Sequence, residues 1–340
     1  MKGSIPTLVL AMGDPAGISP ELTARVLSLN EVRSTARIVA IGDGRVLREG
    51  ARIAGVDVDV EMIDAVTDAI KPSLKPAFVD LKHCDPAGIT PGEVSLKGGQ
   101  FALANFRAAI EFASAGHADA VCFTPFNKAA MRLAYPTYTD EIVFLDEVFA
   151  VSGSASEFNI LGSIWNARVT SHVPLKDVAP LITEASVVRA IERTQEAMLT
   201  AGFTKPRIAV AALNPHAGDG GNFGHEEIDV ITPAVHRAQA KGVAIAGPFP
   251  SDTVFLRAKA GAFDAVLTMY HDQGQIAMKL MGFDKGVTLL GGYPVPITTP
   301  AHGTAYEIAG KGVANVSATR EALLLAAKMA MHAHQRAIAS

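Results

Sequence analysis

Along this chain short apolar runs rich in β-branched residues alternate with longer, Ala-rich amphipathic segments, and that alternation leaves few folds open. Thr7–Met12, Arg37–Ile41, Ala118–Phe123, Arg168–Thr170, Arg207–Ala212 and Ala265–Met269 read as strands. Pro20–Leu29, Leu96–Ala115, Val188–Ala201, Glu227–Ala240 and Thr319–Ala337 read as helices. The strand runs lack strict in–out alternation, so both faces of the sheet are expected to be covered. Helices that return the chain between parallel strands complete an α/β fold with a mostly parallel sheet. No segment repeats with a period of roughly 20–50 residues, which excludes a solenoid, and no Gly-, Ser- or Pro-rich linker divides the chain.

The 340 residues, 49% of them hydrophobic, suffice for a sizeable core in one large or two ordinary domains. A net charge of −4 argues against nucleic acid as a main partner. The two cysteines, Cys84 and Cys122, lack CxxC spacing, so reduced thiols and a cytoplasmic protein are expected. The apolar stretch Pro6–Met12 is far shorter than the roughly 20 residues a membrane span needs, and it reads as a buried first strand; no membrane partner is expected.

Three histidines follow predicted strands in tight polar contexts: His172 in Thr-Ser-His-Val-Pro-Leu, His216 in Leu-Asn-Pro-His-Ala-Gly and His271 in Met-Tyr-His-Asp-Gln-Gly. Strand C-terminal ends are where α/β proteins assemble their sites. Imidazole is a good ligand for a divalent metal, and three leave a position for substrate. Asp252 and Asp272 add carboxylates of the right type. A single histidine after a strand more often serves structure than ligation, and the long separations between these three form no local metal motif.

Two turns also carry chemistry. Gly13-Asp14-Pro15-Ala16-Gly17-Ile18-Ser19-Pro20-Glu21 joins the first strand to a helix, where free backbone N–H groups favour an anion. It is not GxGxxG, and by itself it reads first as a turn that starts a helix. His302-Gly303-Thr304-Ala305-Tyr306-Glu307, continuing to Asn315, is a Gly-rich loop whose Glu307 has the chemistry to accept from ribose hydroxyls. Lys279, eight residues after His271, is suited to bind an anion or move a proton, although most lysines simply face solvent.

Together these segments resemble the 4-hydroxythreonine-4-phosphate dehydrogenase family of vitamin B6 biosynthesis. Gly-Asp-Pro-Ala-Gly-Ile-x-Pro-Glu, Asn-Pro-His-Ala-Gly, Tyr-His-Asp-Gln-Gly and His-Gly-Thr-Ala stand in that family's order, over a span from Gly13 to about Ser317. The resemblance implies two α/β/α domains sharing a mixed, mostly parallel sheet, like isocitrate and isopropylmalate dehydrogenases, with the cofactor in the cleft. Residues 1–130 and 295–340 would form the cofactor side, and 131–294 the metal and dimerisation side. It implies that His172, His216 and His271 bind a divalent metal at a homodimer interface, one subunit's third histidine completing the other's site. It assigns Gly303, Thr304, Ala305 and Asn315 to the cofactor, with Glu307 favouring NAD over NADP, and Lys279, Asp252 and Asp272 to catalysis on a small hydroxy acid.

The departures cluster at the substrate end. The family's Gly-His-Thr-Glu is Thr137-Tyr138-Thr139-Asp140 here, which puts Tyr138 beside Thr139 where a histidine is expected. Thr288 replaces an asparagine and Ile297 an arginine. Losing a histidine and an arginine costs a phosphate several kcal/mol of binding, at roughly 1.5–3 kcal/mol per charged hydrogen bond. Gly291-Gly292 is closer to the branch that oxidises cis-dihydrodiols of aromatic dicarboxylates such as terephthalate. The expectation is therefore an NAD- and metal-dependent dehydrogenase, an oxidative decarboxylase whose substrate need not be phosphorylated. A carboxylated dihydrodiol is the alternative substrate, and a homologue that binds ligand without turnover is the alternative of another class.

Overall fold

A computed structural model of the chain describes residues 5–64, 75–151, 153 and 155–339. Among these residues twelve strands run in chain order: β1 (Thr7–Ala11), β2 (Arg37–Gly42), β3 (Glu61–Ile63), β4 (Ala77–Asp80), β5 (Ala120–Phe123), β6 (Ser156–Leu161), β7 (Ile164–Arg168), β8 (Ile208–Ala211), β9 (Ile245–Phe249), β10 (Ala265–Thr268), β11 (Val287–Gly291) and β12 (Ile297–Pro300). They fall into two compact units, Met1–Ala155 with Val287–Ser340, and Ser156–Gly286.

In the first unit the strand order is β3-β4-β2-β1-β5-β12-β11, parallel except that β11 runs antiparallel to β12. In the second it is β6-β7-β10-β8-β9, parallel except that β6 runs antiparallel to β7. The mixed, mostly parallel α/β fold read from the sequence is therefore present. β1 is Thr-Leu-Val-Leu-Ala and is buried from Leu8 to Ala11, as a strand covered on both faces must be. No helix among the described residues is long and apolar enough to cross a membrane.

The first unit's core gathers Val9, Val39, Val121 and Phe123 from the strands with Phe106 of the Leu96–Ser114 helix. Phe106 and Phe126 both pack on Phe123, with ring centroids 4.8 and 4.6 Å away. Phe144 and Leu145 of the Glu141–Phe149 helix join the same cluster, which keeps residues 131–155 in this unit rather than in the one expected from the sequence. Antiparallel pairing of β11 with β12 likewise holds Val287–Gly291 here. The second unit has its own smaller core, including Ala209, Ala211, Val254, Val266 and Met278.

Two elements differ from the sequence reading. The expected strand Arg168–Thr170 is the tail of β7, whose Asn166 and Arg168 break the apolar pattern that a strand search relies on. Val169 and Thr170 still donate to Thr268 and Met269 carbonyls, so hydrogen bonding runs past the assigned strand end. The expected helix Glu227–Ala240 opens with a π-helical turn over Glu227–Ile231 before α-helix Thr232–Ala240. Two of the expected helices begin at side-chain caps readable in the sequence, Ser95 accepting from Gly98 N at 3.0 Å and the Thr183/Ser186 capping box.

Gly99 marks where the Leu96–Ser114 helix crosses the backbone of Lys128–Ala134: a Cβ there would lie 1.9 Å from the Ala130 carbonyl oxygen. Helix propensity alone favours Gly99→Ala by roughly 1 kcal/mol. Overpacking against an immovable backbone costs more, so a net destabilisation of about 1–3 kcal/mol is expected in urea denaturation. A stabilised Gly99→Ala variant would show that the two helices separate freely.

Candidate active site

Within Ser156–Gly286 the strands β7, β10 and β8 are parallel neighbours, and their C-terminal ends lead to His172, His271 and His216 respectively. Sequence separation hid this adjacency; the strand order supplies it. His172 (φ 51°) and His216 (φ 54°) both hold left-handed backbone, which side-chain-bearing residues rarely adopt and which surrounding structure must enforce. The His172 and His271 rings lie 5.6 Å apart between centroids. His271 starts the helix His271–Gly282, and its Nδ1 is 2.7 Å from Asp272 Oδ1. That contact commits Nδ1 and leaves Nε2 available as a donor atom, the usual arrangement behind a metal-ligating histidine.

Gln273, which sequence reasoning passed over, ties two of these strand ends together. Its Oε1 accepts from Met269 N and its Nε2 donates to the Ala212 carbonyl, both at 2.7 Å. Its position inside Tyr-His-Asp-Gln-Gly was the available signal. Among the described residues no three His, Cys, Asp or Glu side chains form a group able to hold a metal. Asp252 sits exposed in the first turn of the helix that follows β9, and Lys279 is exposed on the helix His271–Gly282.

In the unit Met1–Ala155 with Val287–Ser340, the two turns singled out separately in the sequence meet. Ile18 N donates to the Thr304 carbonyl at 3.1 Å, and a Cβ on Gly17 would lie 2.7 Å from that oxygen. Tyr306 OH donates to Asp14 Oδ2, while Ala305 takes left-handed backbone (φ 45°) to bring the loop round. The turn is not the open anion cradle that its sequence allows. Gly13 N donates to Thr124 Oγ1, Asp14 N to the Pro125 carbonyl, Ala16 N to Asp14 Oδ1 and Gly17 N to the Asp14 carbonyl. With Ile18 N also used, these amides are satisfied internally.

Burial is the largest influence on Asp14 and raises its carboxyl above the ordinary aspartate value, against the lowering from Tyr306 OH and the Ala16 amide. Burial and then the hydrogen bond to Asp14 push the Tyr306 phenol upward in turn. Glu21 Oε1 accepts from Ala314 N at 2.9 Å and so fixes the chain just before Asn315. A cavity of about 100 Å3 beside it is lined by Pro15, Gly17, Glu21, Val46, Ile53 and Gly310. Open space adjoins Gly303, while Glu307 and Asn315 are exposed and Thr304 is buried against the Gly17 turn.

The substrate-end residues divide. Thr139 is exposed and Thr288 half-buried on β11. Tyr138 and Ile297 are both 0% exposed and belong to the core cluster. Burial, and next the nearby Glu141 carboxylate, push the Tyr138 phenol well above its ordinary value. Ile297 pairs with Val121 on β5 and Leu290 on β11, in the middle of the strand packing.

Asp14 gives a pH test. Its folded value exceeds the unfolded one, so its contribution to stability is fully present below about pH 3.9 and is lost as pH rises through the raised folded value. The difference in unfolding free energy between wild type and Asp14→Asn should therefore turn against wild type across that window. A difference that stays flat from about pH 3 to about pH 7 would remove Asp14 as the buried acid of this turn.

Residues 34–326 match the family described as Pyridoxal phosphate biosynthetic protein PdxA. A Rhizobium meliloti (strain 1021) protein, assigned provisionally as 4-hydroxythreonine-4-phosphate dehydrogenase 2, is 60% identical over 327 residues, covering 96% of this chain and 93% of its own. The solved 4-hydroxythreonine-4-phosphate dehydrogenase of Klebsiella pneumoniae is 33% identical with a TM-score of 0.82, covering 97% of this chain and 100% of its own. A terephthalate 1,2-cis-dihydrodiol dehydrogenase from Burkholderia xenovorans LB400 is less similar, 26% identical with a TM-score of 0.65 over 96% of this chain and 98% of its own. With its histidine-bearing strand ends and its paired turns so matched over nearly the whole length, the chain belongs to the PdxA family.

Proposed function

We propose that this chain is an NAD- and divalent-metal-dependent dehydrogenase that oxidises a hydroxyl-bearing carbon near a carboxylate, with loss of CO2. The observation that carries the reading is the apposition of His172 and His271 at neighbouring parallel strand ends, with Asp272 holding His271 through Nδ1. Two imidazoles so held fit a divalent metal, and His216, at the end of the next strand, belongs to the same ligand set, which is completed across a homodimer interface. Held by these histidines, a divalent ion would supply a Lewis acid at the substrate hydroxyl, and NAD would supply the hydride acceptor.

The chain's own groups orient the substrate. Lys279, on the helix that starts at His271, faces solvent and is suited to hold its carboxylate; Asp252, after the parallel strand β9, adds a carboxylate at the same edge of the sheet. On the cofactor side, Thr304 and Ala305 hold the loop in its left-handed turn, while Gly303, Glu307 and Asn315 offer backbone and polar groups to the adenosine. An exposed acidic Glu307 suits ribose hydroxyls and repels a 2′-phosphate, which favours NAD over NADP. Cys84 and Cys122 are both buried free thiols, consistent with a cytoplasmic protein.

Ile297 at 0% exposure, where the resemblance leads one to expect an arginine, supports a substrate other than a phosphate ester, including a carboxylated dihydrodiol. The test is NADH formation by the metal-reconstituted protein with 4-hydroxythreonine-4-phosphate, its unphosphorylated analogue and a terephthalate-type dihydrodiol. Turnover of a non-phosphorylated compound is expected. Turnover of the phosphate ester alone would overturn the substrate assignment while leaving the chemistry, and a preference for NADP would overturn the role of Glu307. No turnover of any of the three would favour a homologue that binds without reacting.

The segments bearing His172 and His271 also expose Leu175 (71%), Ile276 (60%) and Leu280 (84%), apolar surface that a second copy would cover. Leu280→Lys is expected to shift the protein from dimer to monomer in light scattering and to weaken metal binding with it. A Leu280→Lys dimer of unchanged affinity would place the interface elsewhere.

A further inference from the structure

The chain around His216 is built in an unusual way. His216, Ala217, Gly218, Asp219 and Gly220 have φ of 54°, 55°, 79°, 46° and 66°, a run of successive left-handed residues, and Gly221 follows at φ 104°. Three of the five are not glycine, and each such residue costs roughly 1–2 kcal/mol relative to ordinary backbone. Single left-handed residues are common at turns, but a run persists only where its surroundings over-determine it.

The surroundings supply one buried carboxylate. Glu227 is 3% exposed, and its Oε1 accepts from Leu213 N and Asn214 N, both at 2.8 Å, where the chain leaves β8 and enters the run. Its Oε2 accepts from Asn214 Nδ2 at 3.0 Å, and that amide also donates to Glu226 Oε2 at 2.7 Å. The run closes over the same group: a Cβ on Gly218 would lie 2.7 Å from Glu227 Oε2, and one on Gly224 would lie 2.5 Å from Asn214 Nδ2. Phe223 N donates back to the Gly218 carbonyl at 3.1 Å. Glu227 is also the first residue of the π-helical turn Glu227–Ile231, a departure from regular helix that often accompanies a functional position.

We propose that Glu227 is the positioning residue for His216: its carboxylate gathers three N–H donors at the mouth of the left-handed run and so sets where the His216 imidazole points. The inference rests on the reading above, in which His216 is a metal ligand. Two acceptor oxygens are needed here, and a glutamine at 227 would turn an NH2 group toward the Asn214 NH2 or lose one of the acceptors. Glu227 itself is not a ligand, since both of its oxygens are turned to Leu213 and Asn214.

The experiment compares full-length wild type, Glu227→Gln and His216→Ala in Co2+ titrations, read by the visible absorption of the bound ion and by competition with a chelator. Amide hydrogen exchange over residues 213–221 is measured in parallel. Glu227→Gln is expected to bind Co2+ about 10–100-fold more weakly, to exchange faster over 213–221, and to recover the wild-type spectrum at saturating Co2+, as a displaced ligand does. A merely structural Glu227 would lower the melting temperature and leave affinity and spectrum alone, which overturns the inference. Wild-type affinity in Glu227→Gln beside lost affinity in His216→Ala overturns it too, with the metal reading intact. Wild-type affinity and spectrum in His216→Ala would sink both. Should Glu227→Gln fail to fold, Glu227→Asp, which keeps the charge but shortens the reach, is read the same way, and wild-type affinity there overturns the inference.

Discussion

A parallel strand ends with its chain above the sheet edge and nowhere to go but back over a helix, and the first residues past that end must turn sharply. Here that constraint falls where the candidate chemistry lies. His172 and His216 each turn in left-handed backbone beyond β7 and β8, and Ala305 does so beyond β12. None of these is glycine, so the strain is not relieved by the residue itself. It is carried by hydrogen bonds from neighbours: Glu227 at the His216 run, the Thr304 carbonyl and Asp14 at the Ala305 turn. Thr170, just before His172, closes its own hydroxyl onto the Met269 carbonyl at 2.8 Å.

The anchors share a physical character. Asp14 and Glu227 are buried carboxylates whose oxygens face N–H or O–H donors of the turn they hold, not cations. A carboxylate buried against neutral donors is expensive to ionise, as the upward displacement of Asp14 records, yet it accepts several bonds at once and from fixed directions. Neutral Gln273 plays the corresponding part between β10 and β8. Rigid strand ends and buried acceptors together place side chains more finely than a loop alone could.

Much of this was legible in the sequence. Five of the expected strands and the five helices stand out because strands buried on both faces leave continuous apolar runs and helices buried on one face leave a helical period, and the residues of the four family motifs mark the turns. β7 was nearly lost because Asn166 and Arg168 satisfy polar contacts inside the unit, Arg168 with Glu157 and Asn159, and a strand of that kind has no apolar signature. The adjacency of the three histidine-bearing ends was not legible, since strand order depends on pairing across about a hundred residues. Nor was the work of Glu227 and Gln273, which lies in where their oxygens and nitrogens point. The Gly13–Gly17 turn is the helix-starting turn it first reads as, and only the fold shows why: the amides a sequence can count there are already spent.

Tyr138 and Ile297 bear on how specificity changes in such a scaffold. Both stand where the sequence resemblance leads one to expect polar residues, and both are wholly inside the core. Ile297 sits in register between Val121 and Leu290, so an arginine there would have to leave the strand packing or carry its charge out along it. An apolar residue removes that demand and adds buried area at roughly 25 cal/mol per Å2. An isoleucine at this position thus stabilises the strand packing around it. His172 and His216 show the opposite economy: both keep left-handed backbone that costs free energy and that only the surrounding hydrogen bonds hold in place.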